Sequence, residues 1–351
     1  MIRAFRPSFR LLMARSSVVA MLAVLVGAAC ESSDPMESSG PIESPAAAPD
    51  SPAAAADAPA PAFATVSYSG LPYGPIGLWQ SASDVEWGPA PFTGTQNYTD
   101  ARGIVTQISA ARSKKQRLIL AMTGGPSTRY TTNGKFDMTK WKNKLNTFNT
   151  SAIRNAIASA VADGTIIGNQ LIDEPETPRW GGTVSKAVID QMATYAKNMF
   201  PSMPMGINVG PPAYSKWRTS EHFKVLDYVL YQYNHYVTSG NIAAWRDGAL
   251  NRARIDGVTP AFSLNVMNGG VQDRSGTWDC PGTGGKGTRY PNCRMTADQV
   301  ENWGRAIGTA GCAMQMWRYD GVFMSKSANQ AAFRSVASLL SSKPRRSCRR
   351  P

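Results

Sequence analysis

The run Gln170-Leu171-Ile172-Asp173-Glu174-Pro175-Glu176 ends an apolar segment in three carboxylates packed around a proline. Carboxylates this close together at the end of a strand are raw material for general acid/base and nucleophilic chemistry, because burial and mutual repulsion drive their pKa values apart. Little else in the chain supplies such chemistry. With only His222 and His235 in 351 residues, a multi-histidine metal centre is excluded, and a Ser-His hydrolase would have to use one of those two. Acids lead the candidates, and neither a metal nor a cofactor is expected. Side chains of a regular strand alternate between its faces, so Asp173 and Glu174 cannot both point the same way. One is expected to be the working acid and the other an orienting or capping group. Pro175 has no N–H and stops the strand there.

Short apolar runs must position these acids. They fall at residues 76–79, 118–122, 169–172, 205–209, 228–233, 261–266 and 313–317, with amphipathic patterns between them at 99–113, 153–162, 184–199, 242–254 and 296–310, and a last one at 329–340. Strand and helix alternate throughout, which argues for an α/β class. Seven strands in about 275 residues suit a (β/α)8 barrel of TIM type better than an open doubly wound sheet. The eighth strand is expected near 85–87 or within 138–150. No glycine fingerprint for a dinucleotide or a P-loop phosphate follows any strand.

In a barrel the site lies at the C-terminal ends of the strands. The polar residues at those positions are Gln80, Thr123, Asp173, Glu174, Asn208, Gln232, Asn234, His235, Asn265, Asn268, Gln315, Arg318, Tyr319 and Asp320. Aromatic rings stack on apolar sugar faces while amides bond hydroxyls. Trp79, Gln80, Asn208, Gln232, Tyr233, His235, Asn265, Gln315, Trp317 and Tyr319 are therefore the expected substrate-binding set.

Leu171-Ile172-Asp173-Glu174-Pro175 resembles the strand-four signature of the large retaining glycosidase superfamily on (β/α)8 barrels, where Asn-Glu-Pro commonly ends the strand and the Glu is the acid/base. The opening Gly77-Leu78-Trp79 and closing Gln315-Met316-Trp317 are similar to that superfamily as well. The resemblance implies that Glu174 is the acid/base and that Trp317 lies beneath the sugar. Two departures stand out: Asp173 replaces the Asn, and residues 261–270, AFSLNVMNGG, hold no acid where the superfamily places its nucleophile. Glycoside hydrolysis normally uses two carboxylates. Asp320 is the expected partner of Glu174, with Asp84, Glu86 and Asp273 as others.

Residues 1–29 carry four arginines, no acid and an apolar run at 18–26, then Gly27-Ala28-Ala29-Cys30, which reads as an export signal of lipoprotein type with Cys30 lipidated. An ordinary signal peptide cut near Ala29 is the alternative. Residues 30–64 hold six acids and no Lys or Arg among Pro, Ala, Ser and Gly, the composition of a disordered linker. Residues 65–342 are the expected barrel domain, and 343–351, with five basic residues, an expected disordered tail. The formal net charge is +13, and the domain stays basic once both ends are set aside, which favours an acidic carbohydrate or an anionic lipid over nucleic acid. Cys280 and Cys293 bracket a Gly/Pro-rich loop and are expected to form a disulfide that pins it over the mouth, while Cys312 is expected to be an inert core thiol.

These readings converge on an exported, lipid-anchored, monomeric barrel at the cell envelope that hydrolyses glycosidic bonds in a polysaccharide or oligosaccharide, or that is secreted. The competing reading is a binding lipoprotein that keeps the cleft without the chemistry.

Overall fold

The computed structural model describes residues 67–77, 91–210, 222–235, 241–270 and 293–351. Eight parallel strands form one sheet: β1 (Tyr73–Pro75), β2 (Gly94–Tyr98), β3 (Arg117–Ala121), β4 (Ile166–Asp173), β5 (Met205–Val209), β6 (Tyr228–Tyr233), β7 (Thr259–Asn265) and β8 (Met314–Trp317). Their order around the sheet is β1-β8-β7-β6-β5-β4-β3-β2. Strand therefore follows strand in sequence order, and β1 meets β2 through a parallel bridge between Ile76 and Gln96. Gly77 N–H donates to the Gln96 carbonyl and Thr93 N–H to that of Tyr73, each at 2.8 Å. This narrow seam brings the sheet round into a barrel.

The helices α1 (Ile104–Ser113), α2 (Met138–Asn146), α3 (Ser151–Ala162), α4 (Lys186–Met199), α5 (Ile242–Asp256), α6 (Ala297–Gly308), α7 (Gly321–Ser325) and α8 (Ser327–Ser341) accompany the strands. Several start where the sequence supplies a cap. Asp137 accepts from the N–H groups of Thr139 and Lys140, and Thr296 with Gln299 forms a capping box for α6. The main core lies between the sheet and this helical layer, where Trp141, Phe148, Ile189, Phe262 and Phe333 are fully buried.

Two expectations about the strands need correction. The eighth strand is β2, not 138–150, which is largely α2; residues 85–87 lie outside the described residues. Gly94-Thr95-Gln96-Asn97-Tyr98 has no apolar run because Gln96 faces a polar interior, where it reaches Gln170. The first strand also begins earlier than 76–79. With β2 counted, the strand ending in Asp173 is the fourth.

The lower interior is apolar and small. Ile119, Tyr228, Leu230, Ala261 and Ala313 cluster there with Cys312 and Cys348. Gly168 and Gly206 make room, since a Cβ at either would come within 2.6 Å and 2.2 Å of the Tyr228 ring. Cys312 is not a free thiol: it is bonded to Cys348, and the tail expected to be disordered is tied beneath the barrel. The basic neighbours of Cys348 hid this from the sequence, because the partner is close only in the fold.

Candidate active site

The carboxylates owe their positions to an irregularity in β4. Gln170 pairs with Gly206 and Asp173 with Asn208, so β4 spends three residues where β5 spends two. Such a bulge turns the following side chain, and it puts Asp173 on the face of Gln170. The bulge also leaves the Leu171 carbonyl to side chains, accepting from Trp141 Nε1 at 2.9 Å and Thr123 Oγ1 at 2.8 Å. Asp173 Oδ1 then accepts from Gln170 Nε2 and Asn208 Nδ2, each at 3.1 Å, and Oδ2 pairs with Arg179 at 2.7 Å. Three partners thus hold its carboxyl group in place.

Glu174 leaves the strand at φ +43°, in the left-handed region that a side-chain-bearing residue enters only when held there. Its N–H donates to the Asn208 carbonyl at 2.9 Å, and its own carbonyl accepts from Thr177 N–H at 3.0 Å and Trp180 Nε1 at 3.1 Å. This turn breaks the strict alternation of the strand. Glu174 Oε2 consequently lies 3.5 Å from the same Arg179 that holds Asp173. The Asp173 and Glu174 side chains remain 38% and 29% exposed, so both reach solvent at the strand ends.

Glu176 is the third acid and a different kind of group. It is 4% exposed, accepts from Gly210 N–H at 2.9 Å through Oε1, and has no hydrogen-bond partner for Oε2. Burial pushes its pKa up to about 7, and the charges of Glu174 and Asp173 add to the rise. Glu174 and Glu176 meet at Gly210, where a Cβ would come within 3.0 Å of Glu174 Oε1 and 3.2 Å of Glu176 Oε1. For Arg179, burial works against the charge, but Asp173 and Glu174 outweigh it and raise its pKa. The carboxyl raised by burial is thus Glu176.

That shift predicts a pH dependence of stability. Between the ordinary pKa of 4.5 and about 7, the folded chain holds a proton that the unfolded chain has released. Stability should therefore fall as pH rises through this window, by about 3 kcal/mol in all, and level off above it. Glu176→Gln should remove the slope, matching the parent near pH 4 and exceeding its stability at pH 8. Urea midpoints at the two pH values check this; an unchanged slope in the variant would refute it.

Above the apolar cluster the barrel interior is lined by amides. Gln232 is in register with Ser263 and Ser263 with Gln315, so these three share the inner face, and Asn265 Nδ2 approaches Gln232 Oε1 at 3.5 Å. Asn208 Oδ1, Ser263 Oγ and Gln315 Oε1 are buried without a hydrogen-bond partner. Trp317, two residues beyond Gln315, lies on the same face at the end of β8 and is half-buried. Asn208, Gln232, Asn265, Gln315 and Trp317 are therefore brought together with the acids. β7 ends at Asn265 with no acid.

Other expected site residues are placed elsewhere. Tyr233 alternates away from Gln232 into the outer core, edge-on to Trp245 and Trp303, and its hydroxyl bonds His235 Nδ1 at 2.6 Å. His235 stacks flat on Trp303 at 4.3 Å, and burial lowers its pKa. Both pack on Trp303. Asp320 caps α7, its Oδ1 accepting from Phe323 N–H at 2.7 Å, while Oδ2 lies 3.6 Å from Arg294. Both of its oxygens are thus engaged at the end of β8. Tyr319 packs partly buried against the outer core. Trp79, Gln80, Cys280 and Cys30 lie outside the described residues; Cys293 is disulfide-bonded. Sequence reasoning left out Arg179 and gave Glu176, though it belongs to the acidic run, no role of its own. The only signal was their closeness to the acids, since burial against Gly210 is a tertiary fact.

No family model matches the chain, and no curated protein matches it. Solved structures do show similarity. The chain is similar to an endo-β-1,4-mannanase from Thermotoga petrophila, at 10% identity and a TM-score of 0.46 over 78% of this chain and 77% of that one. It is similar to a xylanase from Cellvibrio japonicus in complex with xylopentaose, at 10% identity and 0.45 over 80% and 68%. A xylanase from Thermotoga maritima follows at 12% identity and 0.44, over 77% and 95%. The barrel stands on the strand register itself: the fold is (β/α)8.

Proposed function

We propose that the C-terminal mouth of this barrel hydrolyses glycosidic bonds in an oligosaccharide or polysaccharide. The observation that carries this reading is the convergence of three acids on Arg179 and Gly210 at the end of β4, one buried and two solvent-reaching. Acids whose surroundings drive their pKa values apart divide the roles of proton donor and fixed charge. In this reading Glu174 gives a proton to the glycosidic oxygen as the bond from the anomeric carbon to that oxygen breaks, and water adds at the anomeric carbon, returning its proton to Glu174. Glu176, with its pKa raised to about 7, holds a proton within the cluster in part of the molecules at neutral pH, and Asp173 stabilises positive charge that develops on the sugar. The amides of Asn208, Gln232, Asn265 and Gln315 bond hydroxyls, and Trp317 offers a stacking face.

One observation favours a second reading: β7 ends in Asn265 without an acid, and Asp320, beyond the end of β8, is engaged as the cap of α7. A barrel that binds glycans without cleaving them would have this pattern. Incubating the full chain with neutral and acidic polysaccharides, and measuring both retention and reducing-end release, separates the readings. Hydrolysis predicts release; retention without release would favour the binder. Export is part of the proposal, supported by the disulfide-bonded cysteines Cys293, Cys312 and Cys348.

A further inference from the structure

The chain enters and leaves the described domain at one end of the barrel. At entry, the carbonyls of Ser69 and Gly70 accept from Arg117, the first residue of β3, at 3.0 Å and 2.9 Å. Tyr68 bonds Thr165, just before β4, at 2.7 Å. At exit, the tail crosses segments that precede strands. Arg346 donates to the Thr309 carbonyl at 2.8 Å, Arg349 to that of Ser202, and Arg350 to those of Lys224 and Phe223. The Cys312–Cys348 disulfide fixes this course. All of it lies at the N-terminal ends of the strands, opposite the mouth that holds Glu174.

The result is a concentrated positive surface. Arg345, Arg346 and Arg349 are exposed, and Lys343 and Arg350 are half-buried. Among the described residues, none of these five cations forms an ion pair with a carboxylate. The guanidinium hydrogen bonds of Arg346, Arg349 and Arg350 go to carbonyls, which leave the charge in place, while the Arg350 backbone N–H donates to Asp227 Oδ1 at 3.4 Å. Burial lowers the Arg117 pKa to about 10, and the Arg345 charge contributes to the fall.

We infer that this N-terminal face docks on an anionic phospholipid bilayer, leaving the mouth of the barrel turned away from the membrane. Each Lys or Arg held near an anionic surface strengthens binding several-fold, and salt weakens the attraction. A bilayer is favoured over a soluble polyanion because the chain joins the domain at this same face, and its preceding sequence carries the apolar run 18–26 and Cys30. The inference is independent of the chemistry at the mouth.

The test compares the full chain with Arg345→Gln/Arg346→Gln/Arg349→Gln and with the corresponding triple Lys variant, all with the disulfide intact. Residues 1–66 are common to the three proteins, so differences report the folded face. Sedimentation is measured with vesicles of phosphatidylcholine alone and of two parts phosphatidylcholine to one part phosphatidylglycerol. Expected are preferential binding of the parent to the anionic vesicles, at least a tenfold loss in the Gln variant, near-parental binding in the Lys variant, and weakening with salt. Should the Gln variant fail to fold, the Lys variant decides, with loss of its vesicle binding counting against the proposal. Equal binding by parent and Gln variant would overturn it, as would binding to polygalacturonate or duplex DNA without binding to anionic vesicles.

Discussion

Replacing Glu174 by Gln is expected to lower turnover of a cleaved glycan about 10³-fold while leaving the fold intact. The amide keeps the size of the side chain and loses the ability to give or take a proton. A loss of that size corresponds to about 4 kcal/mol of transition-state stabilisation. The fold should tolerate the change, because the φ of +43° is held by the backbone bond to Asn208 and by Thr177 and Trp180 on the Glu174 carbonyl. The ion pair of the side chain with Arg179, at 3.5 Å, is partly exposed, and such pairs add little. The loss should therefore appear in kcat, with glycan affinity largely kept. Asp320→Ala is the informative comparison: losing the cap of α7 should cost about 1 kcal/mol of stability and leave kcat nearly unchanged. Full turnover in a folded Glu174→Gln protein would refute the proposed acid. Strong loss with Asp320→Ala, at unchanged stability, would return that residue to the site.

What could be read from the residues was the barrel and the place of the acids along it. The strand preceding Asp173 is apolar and proline-terminated, and both features are local. The aiming of the acids was not legible, because the bulge is a relation between β4 and β5, and alternation alone separates Asp173 from Glu174. Tyr233 shows the same limit in reverse. Gln232 and Tyr233 must face opposite ways, but which one faces inward depends on Trp245 and Trp303, distant in sequence. β2 escaped notice because hydropathy finds strands with apolar faces, and Gln96 looks into an amide-lined interior. The burial of Glu176 was not legible either, because it depends on Gly210, at another strand's end, being brought against it.

Removing the Cys312–Cys348 cross-link is expected to lower stability by about 4 kcal/mol, the chain-entropy value for a loop of 36 residues. The closed segment contains β8, α7 and α8, so the unfolded chain regains freedom over an entire strand-and-helix unit. Cys348 is only 3% exposed, lying among Ile119, Tyr228, Leu230, Ala261 and Ala313, which makes the choice of replacement matter. Serines would place two hydroxyls in an apolar cluster and add a desolvation penalty to the loss of the bond. Cys312→Ala with Cys348→Ala isolates the cross-link, whereas a reductant would also act on the disulfide of Cys293. Urea unfolding of the double Ala variant against the oxidised parent measures the difference. A drop below about 1 kcal/mol would mean that the carbonyl contacts of Arg346, Arg349 and Arg350 hold the tail without the bond. A drop near 4 kcal/mol makes the disulfide the element that keeps the tail under the barrel, and with it the basic face.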